Sequence, residues 1–382
     1  MTSLRVWLKE GHTVEIIRRK LPEFEAATGI NVAIEIVPEH VAHDELLAGD
    51  GRPDVVTCPY WYLDELLAAG ALRPVACADV RRQDQDFPPI AIEALSRNGS
   101  LYAIPHTLTG GVLSYRKDLL AELGRNKPQT LSDVLETATA QRGDIIPMLA
   151  RCNAEFSSFE TYAGWAAAKR IRLLPDEGMP TLDDLERGVG DLLVTLRDAS
   201  KGRALTAETY AQLGDEMAEG NALMLLDTSA WPFLFEAADS PVRGAMGYSV
   251  IRDRLPAQFV YAEGLAITSW STRAADAAAF IAWRHSPDVV LAEIHEVGRF
   301  DLPRLDVRRE PWFARLAAER DAGEWLRVID EAWAAADLGH VAFRPDYVRR
   351  ARELMTLFGA VIDGSVASLA EGFSAIEAQE PR

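Results

Sequence analysis

Few side chains in this sequence stand where their type and spacing could do chemistry. Tyr60 and Trp61 follow the run Pro53-Asp54-Val55-Val56-Thr57-Cys58, so they sit at the carboxyl end of a predicted strand. Aromatic faces there can stack on a planar, partly apolar small molecule, or simply pack on the next helix. His12 opens a predicted helix, where free backbone N–H groups and the helix dipole favour an anion or a polar oxygen. Asp227 precedes another helix start and can cap it or meet a ligand. Arg299 and Arg304 have the fork geometry to clasp a carboxylate or phosphate, or a neighbouring acid on the surface. His40, His43 and Asp44 could share a helical face, but two histidines do not close a zinc shell, so a solvated face is expected. Cys58, Cys77 and Cys152 form no C-x-x-C pair and read as small buried hydrophobes.

Motif chemistry is otherwise missing. The sequence has no P-loop, no H-E-x-x-H, no EF-hand loop and no G-x-S-x-G elbow. Gly188-Val189-Gly190 lacks the third glycine of a dinucleotide fingerprint. No cofactor or metal is therefore expected. The formal charge of −18, from 58 acidic against 40 basic residues, repels phosphate backbones and excludes nucleic acid as a natural partner. The 382 residues, 48% hydrophobic, can bury a large core and are expected to divide into more than one domain. No apolar run approaches the roughly 20 residues of a membrane helix.

The elements that must position these groups follow from periodicity. Leu4 to Leu8 reads as a buried strand. A helix from Val14 to about Thr28 follows, capped by Thr13, stopped by Gly29 and bent or split at Pro22. Asn31 to Val37 alternates as a strand, a helix spans about Val41 to Ala48, Pro53 to Cys58 is a third strand, and a helix runs to Ala69. This β-α-β-α-β-α order demands a parallel sheet, whose ligands bind beyond the strands' carboxyl ends. Asn98-Gly99 then marks a hairpin. Gly110-Gly111 interrupts the next strand, Val112 to Tyr115, and marks a flexible or closely approached backbone. Helices are predicted over 117–123, 131–140, 158–170, 182–198 and 206–219, with Thr130 and Thr181 as caps. Strands are predicted at 222–226, 248–251 and 259–268. Six helices follow: 273–285, 288–297, 309–320, 324–335, 346–362 and 366–378.

Several segments, in this order, resemble the extracellular solute-binding proteins of ABC transporters, in their maltose-binding-like group. They are Leu4-Arg5-Val6-Trp7, then Phe24-Glu25 with Thr28-Gly29-Ile30-Asn31-Val32, then Pro53-Asp54-Val55-Val56 with its aromatics. Leu101-Tyr102-Ala103-Ile104-Pro105 leading into Ser114-Tyr115-Arg116-Lys117-Asp118-Leu119-Leu120 is similar to the family's first crossover. Glu219-Gly220-Asn221-Ala222-Leu223-Met224 with Trp231 looks like its G-x-A-x-M segment. Glu263-Gly264-Leu265-Ala266-Ile267, leading to Ala277-Ala278-Ala279-Phe280-Ile281, looks like the return crossover. Gly298, Leu302-Pro303-Arg304 and Arg344-Pro345 complete the pattern.

The resemblance implies a two-lobed α/β fold of the periplasmic-binding-protein kind (type II), with a central cleft and interlobe hinge strands. Lobe one would comprise 1–107 plus 264–308, and lobe two 108–263 plus 309–382. It implies binding of a small polar ligand, a sugar or sugar derivative first, by hinge closure rather than catalysis, with an ABC permease as partner and a monomer as the acting species. On family position Trp231, Glu263 and His106 join the candidates, as does Trp165, whose Ala-rich helix also suits a core role. The full set is then His12, Tyr60, Trp61, His106, Trp165, Asp227, Trp231 and Glu263. The sequence opens without a basic segment followed by an apolar stretch. On that reading the chain stays in the cytoplasm as given, or works outside it if a leader has been removed. A cytoplasmic lyase or isomerase, or a ligand sensor, built on the same fold is the competing expectation.

Overall fold

The computed structural model describes residues 3–11, 13–50, 52–75, 86–140, 143–153, 156–199, 210–339 and 344–377. The chain forms two compact units. Unit one is Met1–Leu108 with Tyr261–Arg320, and unit two is Thr109–Val260 with Asp321–Arg382.

In unit one, β1 (Leu4–Leu8), β2 (Val32–Ile36) and β3 (Val55–Pro59) alternate with α1 (Val14–Thr28), α2 (Glu39–Ala48) and α3 (Leu63–Ala68). α1 and α2 supply the crossovers that join these parallel strands. β1 lies between β2 and β3 and is parallel to both, with Leu8 beside Ile36 and Trp7 beside Val56. The three carboxyl ends therefore open on the same edge of the sheet. A short β4 (Leu72–Arg73) precedes a hairpin of β5 (Ser96–Arg97) and β6 (Ser100–Leu101). Its turn residues Asn98 and Gly99 both have positive φ, 52° and 74°, which the Asn-Gly pair tolerates at least cost.

β7 (Ala103–Arg116) and β11 (Val260–Thr268) each run from one unit into the other. Within unit one, β11 pairs antiparallel with β3 and lies next to β7. Gly264 sits at that junction. A Cβ there would lie 2.6 Å from the Ile104 carbonyl oxygen, so only glycine lets the two strands approach. The core of unit one joins Leu4, Val6, Val55 and Ile104 to Leu265, Ile267, Phe280 and Ile281.

In unit two, β9 (Met224–Thr228) lies between β7 and β8 (Leu149–Ala150), antiparallel to β7 and parallel to β8. β10 (Met246–Ser249) covers the other side of β7. The helix Tyr347–Ile362 packs on the helices Phe156–Ala168 and Asp191–Ala199.

Four local expectations are corrected. Thr13 makes no side-chain cap bond at the start of α1. Pro22 does not split that helix, because Pro22 and Arg18 lie on its exposed side, where water can serve the carbonyl the proline frees. Gly110-Gly111 does not interrupt β7. It permits close packing instead, since a Cβ on Gly111 would meet the Ala257 carbonyl oxygen at 2.9 Å. The helix expected over 182–198 contains a π-turn at Glu186–Gly190, where Lys169 Nζ collects the carbonyls of Arg187 (3.3 Å) and Gly188 (3.0 Å). Thr130 and Thr181 cap their helices as read, and Asp133 and Asp184 complete each cap as a capping box. Residues 206–209, the start of the helix expected over 206–219, lie outside the described residues.

Candidate functional site

The shared carboxyl edge of β1, β2 and β3 carries a connected set of polar and aromatic side chains. Lys9 is the first residue after β1, Glu39 opens α2 just beyond β2, and Tyr60, Trp61 and Tyr62 form a 3₁₀ turn directly after β3. Lys9 Nζ donates to Glu39 Oε2 at 2.8 Å and to the Tyr261 hydroxyl at 2.5 Å, and lies 3.6 Å from Glu263 Oε2. The Tyr261 hydroxyl donates to Glu263 Oε2 at 2.8 Å. His106 Nε2 is 3.0 Å from Glu263 Oε1. Trp61 donates its ring N–H to Glu39 Oε1 at 3.2 Å, and its ring meets Tyr261 edge-on at 4.9 Å. The chain of contacts thus runs from Trp61 through Glu39, Lys9, Tyr261 and Glu263 to His106.

Exposure differs among these side chains. Tyr60 and Trp61 are buried at 0% and 3% exposed, whereas the side chains of His106 and Lys9 keep 14% and 31%. Burial alone would raise the Glu263 carboxyl above its ordinary 4.5. The Lys9 charge, the His106 hydrogen bond and the Tyr261 hydroxyl outweigh it and bring it down to about 2. Burial would lower Lys9, but Glu39, Tyr261 and Glu263 hold it well above its ordinary value. Burial and the Glu263 charge push the Tyr261 hydroxyl well up. At neutral pH the lysine is cationic, the glutamate anionic and the phenol protonated. His106 Nδ1 is buried and has no hydrogen-bond partner. A cavity of about 10 Å³ between Trp7, Lys9, Glu39 and Thr57 has room for one water. A larger groove of about 350 Å³ lies between the second half of α1 and the helix Ala274–Arg284, lined by Phe24 and Trp283, and holds no residue of this cluster.

Unit two repeats the arrangement at the carboxyl ends of β8 and β9. Arg151, directly after β8, closes on Asp227 Oδ1 through Nε at 2.9 Å and a terminal nitrogen at 2.8 Å. Asp227 Oδ2 accepts the Trp231 ring N–H at 2.8 Å. Trp231 stacks on Tyr210 with 3.9 Å between ring centroids, and the Arg151 guanidinium lies 5.2 Å over the Tyr210 ring. Both ions are buried, Asp227 completely. The helix Pro232–Phe235 takes no side-chain cap, so Asp227 is not its cap. It belongs to the strand and the ion pair.

The structure therefore brings Tyr60, Trp61, His106 and Glu263 together in unit one, and Asp227 with Trp231 in unit two. Trp165 is placed apart from that second pair, with its ring N–H on Asp191 at 3.1 Å and 1% exposure. His12 lies outside the described residues. Arg299 and Arg304 spend their forks on Asp301 and Asp306, each two residues ahead. His40 is exposed as expected, but His43 is 6% exposed and is no part of a solvated face.

Sequence reasoning missed Lys9, Glu39, Tyr261 and Arg151. The signal was present for three of them. Sites form beyond the carboxyl ends of parallel strands, and Lys9 directly follows β1, Glu39 is three residues past β2, and Arg151 directly follows β8. Tyr261 carried only its spacing, two residues before Glu263 on one strand face.

Residues 10–168 match the sequence model of the family described as bacterial extracellular solute-binding protein. Among solved structures, a solute-binding protein of an Agrobacterium vitis ABC transporter with bound D-mannitol superposes with a TM-score of 0.84 at 16% identity, over 100% of both chains. One from Agrobacterium radiobacter in complex with ribitol gives 0.82 at 19% identity, over 97% of each chain. Maltose-bound MalE3 of T. maritima gives 0.80 at 19% identity, over 99% of this chain and 98% of that one. At these identities the likeness is one of fold. Among the described residues no helix is long and apolar enough to cross a membrane. In sequence over residues 10–168, and in fold over nearly its whole length, the chain resembles the ABC-transporter solute-binding proteins of the maltose-binding-like group.

Proposed function

We propose that this protein binds an uncharged polyhydroxylated small molecule, a sugar or polyol, as the solute-receiving component of an ABC-type uptake system outside the cytoplasm. The observation that carries the reading is the cluster of Lys9, Glu39, Tyr261, Glu263 and His106 beside Trp61. It offers fixed donors and fixed acceptors next to aromatic rings, which is what a polyol's hydroxyls and C–H faces need. Its charges are mutually compensated, so an anionic ligand gains little there. The proposed contacts in unit one are His106 and Glu263, backed by Tyr60 and Trp61, with Lys9 added. Asp227 and Trp231 are the proposed contacts in unit two. His12 and Trp165 lack comparable support.

Binding is favoured over lyase or isomerase chemistry by the same electrostatics. A general acid or base works best with a pKa near the working pH. Glu263 at about 2, and Lys9 and Tyr261 well above their ordinary values, are locked away from it. The solved neighbours hold maltose, D-mannitol and ribitol, which sets the first probes. The test is thermal unfolding with each of the three. A ligand at 100 times its Kd should stabilise the fold by about 2.7 kcal/mol. The bound compound should be recovered unaltered by mass spectrometry. No shift across a broader panel of sugars and polyols would overturn the reading, as would conversion to a product.

A further inference from the structure

Glu39 opens α2 and is held between two donors. Its Oε2 accepts from Lys9 Nζ at 2.8 Å, and its Oε1 accepts the Trp61 ring N–H at 3.2 Å. Each carboxylate oxygen thus has its own donor, and one donor is charged. An ammonium beside an indole N–H, arranged in this way, is a receptor for a carboxylate. The first turn of a helix also favours negative charge, so the place suits a carboxylate whichever molecule supplies it.

Glu263 does not share that place. Its Oε2 stays 3.6 Å from Lys9 Nζ, outside hydrogen-bond range, and accepts the Tyr261 hydroxyl at 2.8 Å. Its Oε1 lies 3.0 Å from His106 Nε2. Glu263 is buried, whereas the side chains of Glu39 and Lys9 are 17% and 31% exposed. The receptor is therefore the part of the cluster that a dissolved anion could reach. The cavity of about 10 Å³ beside Trp7 and Thr57 adjoins both Lys9 and Glu39.

We propose that Glu39 is the specificity-determining residue of the site in unit one: its carboxylate fills the Lys9–Trp61 receptor as a built-in anion, so that neutral polyols are admitted and sugar acids are turned away. The inference rests on the reading of this cluster as the ligand site. A polyol loses nothing by the arrangement, because its hydroxyls can donate to the remaining lone pairs of Glu39 and Glu263. A sugar acid must displace Glu39 from Lys9, leaving a partly buried carboxylate unpaired, or bring a second negative charge beside it. An ion pair that only steadied α2 would bring the same groups together, but it would not make the site choose between a polyol and its acid.

The experiment compares D-mannitol with D-mannonate, which carries a carboxylate in place of one terminal alcohol, by calorimetry on the whole chain and on Glu39→Ala. The substitution removes a carboxymethyl group, which is the size of acetate. In the unsubstituted protein mannonate binds more weakly than mannitol. In Glu39→Ala the ratio of mannonate to mannitol affinity should rise by about tenfold or more, the worth of one charge-assisted hydrogen bond regained. Adding Lys9→Gln to that variant should abolish the rise. Glu39→Gln, which keeps the volume and removes the charge, should move the ratio in the same direction, and serves if Glu39→Ala does not fold. An unchanged ratio, with both compounds weakened alike, overturns the inference, as does mannonate binding the unsubstituted protein as tightly as mannitol. A second measurement needs no sugar. Sodium acetate should raise the melting temperature of Glu39→Ala saturably, beyond the effect of equal sodium chloride, and should act no differently from chloride on the unsubstituted protein. Acetate that matches chloride on the variant overturns the inference. If neither mannitol nor mannonate binds any of these proteins, the functional reading fails, while the acetate titration still decides whether Lys9 and Trp61 form a carboxylate receptor.

Discussion

Glu263 and Trp231 show two ways in which a buried side chain is held by its surroundings. Glu263 is kept ionised by Lys9, His106 and Tyr261, with its pKa depressed from 4.5 to about 2. A carboxyl depressed by folding contributes stability above its unfolded pKa and loses it as pH falls through the folded one. The window is therefore about pH 5 down to about 2, and the size is on the order of 3 kcal/mol. Denaturant unfolding of the unsubstituted protein should weaken across that window. Glu263→Gln should flatten the profile there while lowering stability at neutral pH. An unchanged slope would mean that Glu263 is not the group concerned. Trp231 is held by shape. A Cβ on Gly214 would sit 2.0 Å from its ring, a distance no small adjustment absorbs. Gly214→Ala should cost about 1–3 kcal/mol by overpacking. Trp231→Ala should cost about 3–5 kcal/mol by opening a cavity, and any loss of polyol binding should exceed what instability alone explains if the ring also meets ligand. Equilibrium unfolding beside calorimetric binding separates the two effects.

At the scale of elements, the sequence was most legible where a local rule leaves one answer. β1 at Leu4–Leu8 and α1 ending before Gly29 follow from apolar period and a left-handed stop, and the Asn98-Gly99 turn from backbone sterics. The caps at Thr130 and Thr181 were legible because the acidic residue three positions on completes a reciprocal pair. Thr130→Ala should lower stability by about 1 kcal/mol, read as a shifted denaturant midpoint with unchanged slope. What stayed illegible depends on partners distant in the chain. The π-turn at Glu186–Gly190 is served by Lys169, about twenty residues away in sequence, and no local period announces it. β8 has two residues and is a strand only because β9 lies beside it. The same distinction applies at the site. Tyr60 and Trp61 could be found from the end of a strand, whereas the chain Glu39–Lys9–Tyr261–Glu263–His106 joins four separate segments of sequence.

At the scale of the whole molecule, the order of the chain constrains how unit one can fold. Its sheet runs β2-β1-β3-β11-β7, so β11, contributed by residues from 261 onward, lies between two strands that precede it by some 150 residues or more. Of the fourteen residues in the unit's main apolar cluster, five come from this later segment: Leu265, Ile267, Ala277, Phe280 and Ile281. A fragment ending at Leu108 would expose the inner edge of β3, which β11 meets at Val55–Pro59, together with a row of unpaired backbone groups. It would also lack more than a third of that core. Such a fragment should not unfold cooperatively, and its near-ultraviolet circular dichroism should be weak. A single chain joining 1–108 through a flexible linker to 261–320 restores both the ladder and the core. It should show a cooperative denaturant transition and keep the Lys9, Glu39, Tyr261 and Glu263 contacts. Cooperative folding of the 1–108 fragment alone would mean that β1 to β3 and their helices suffice, and that β11 is an addition to unit one rather than part of its core.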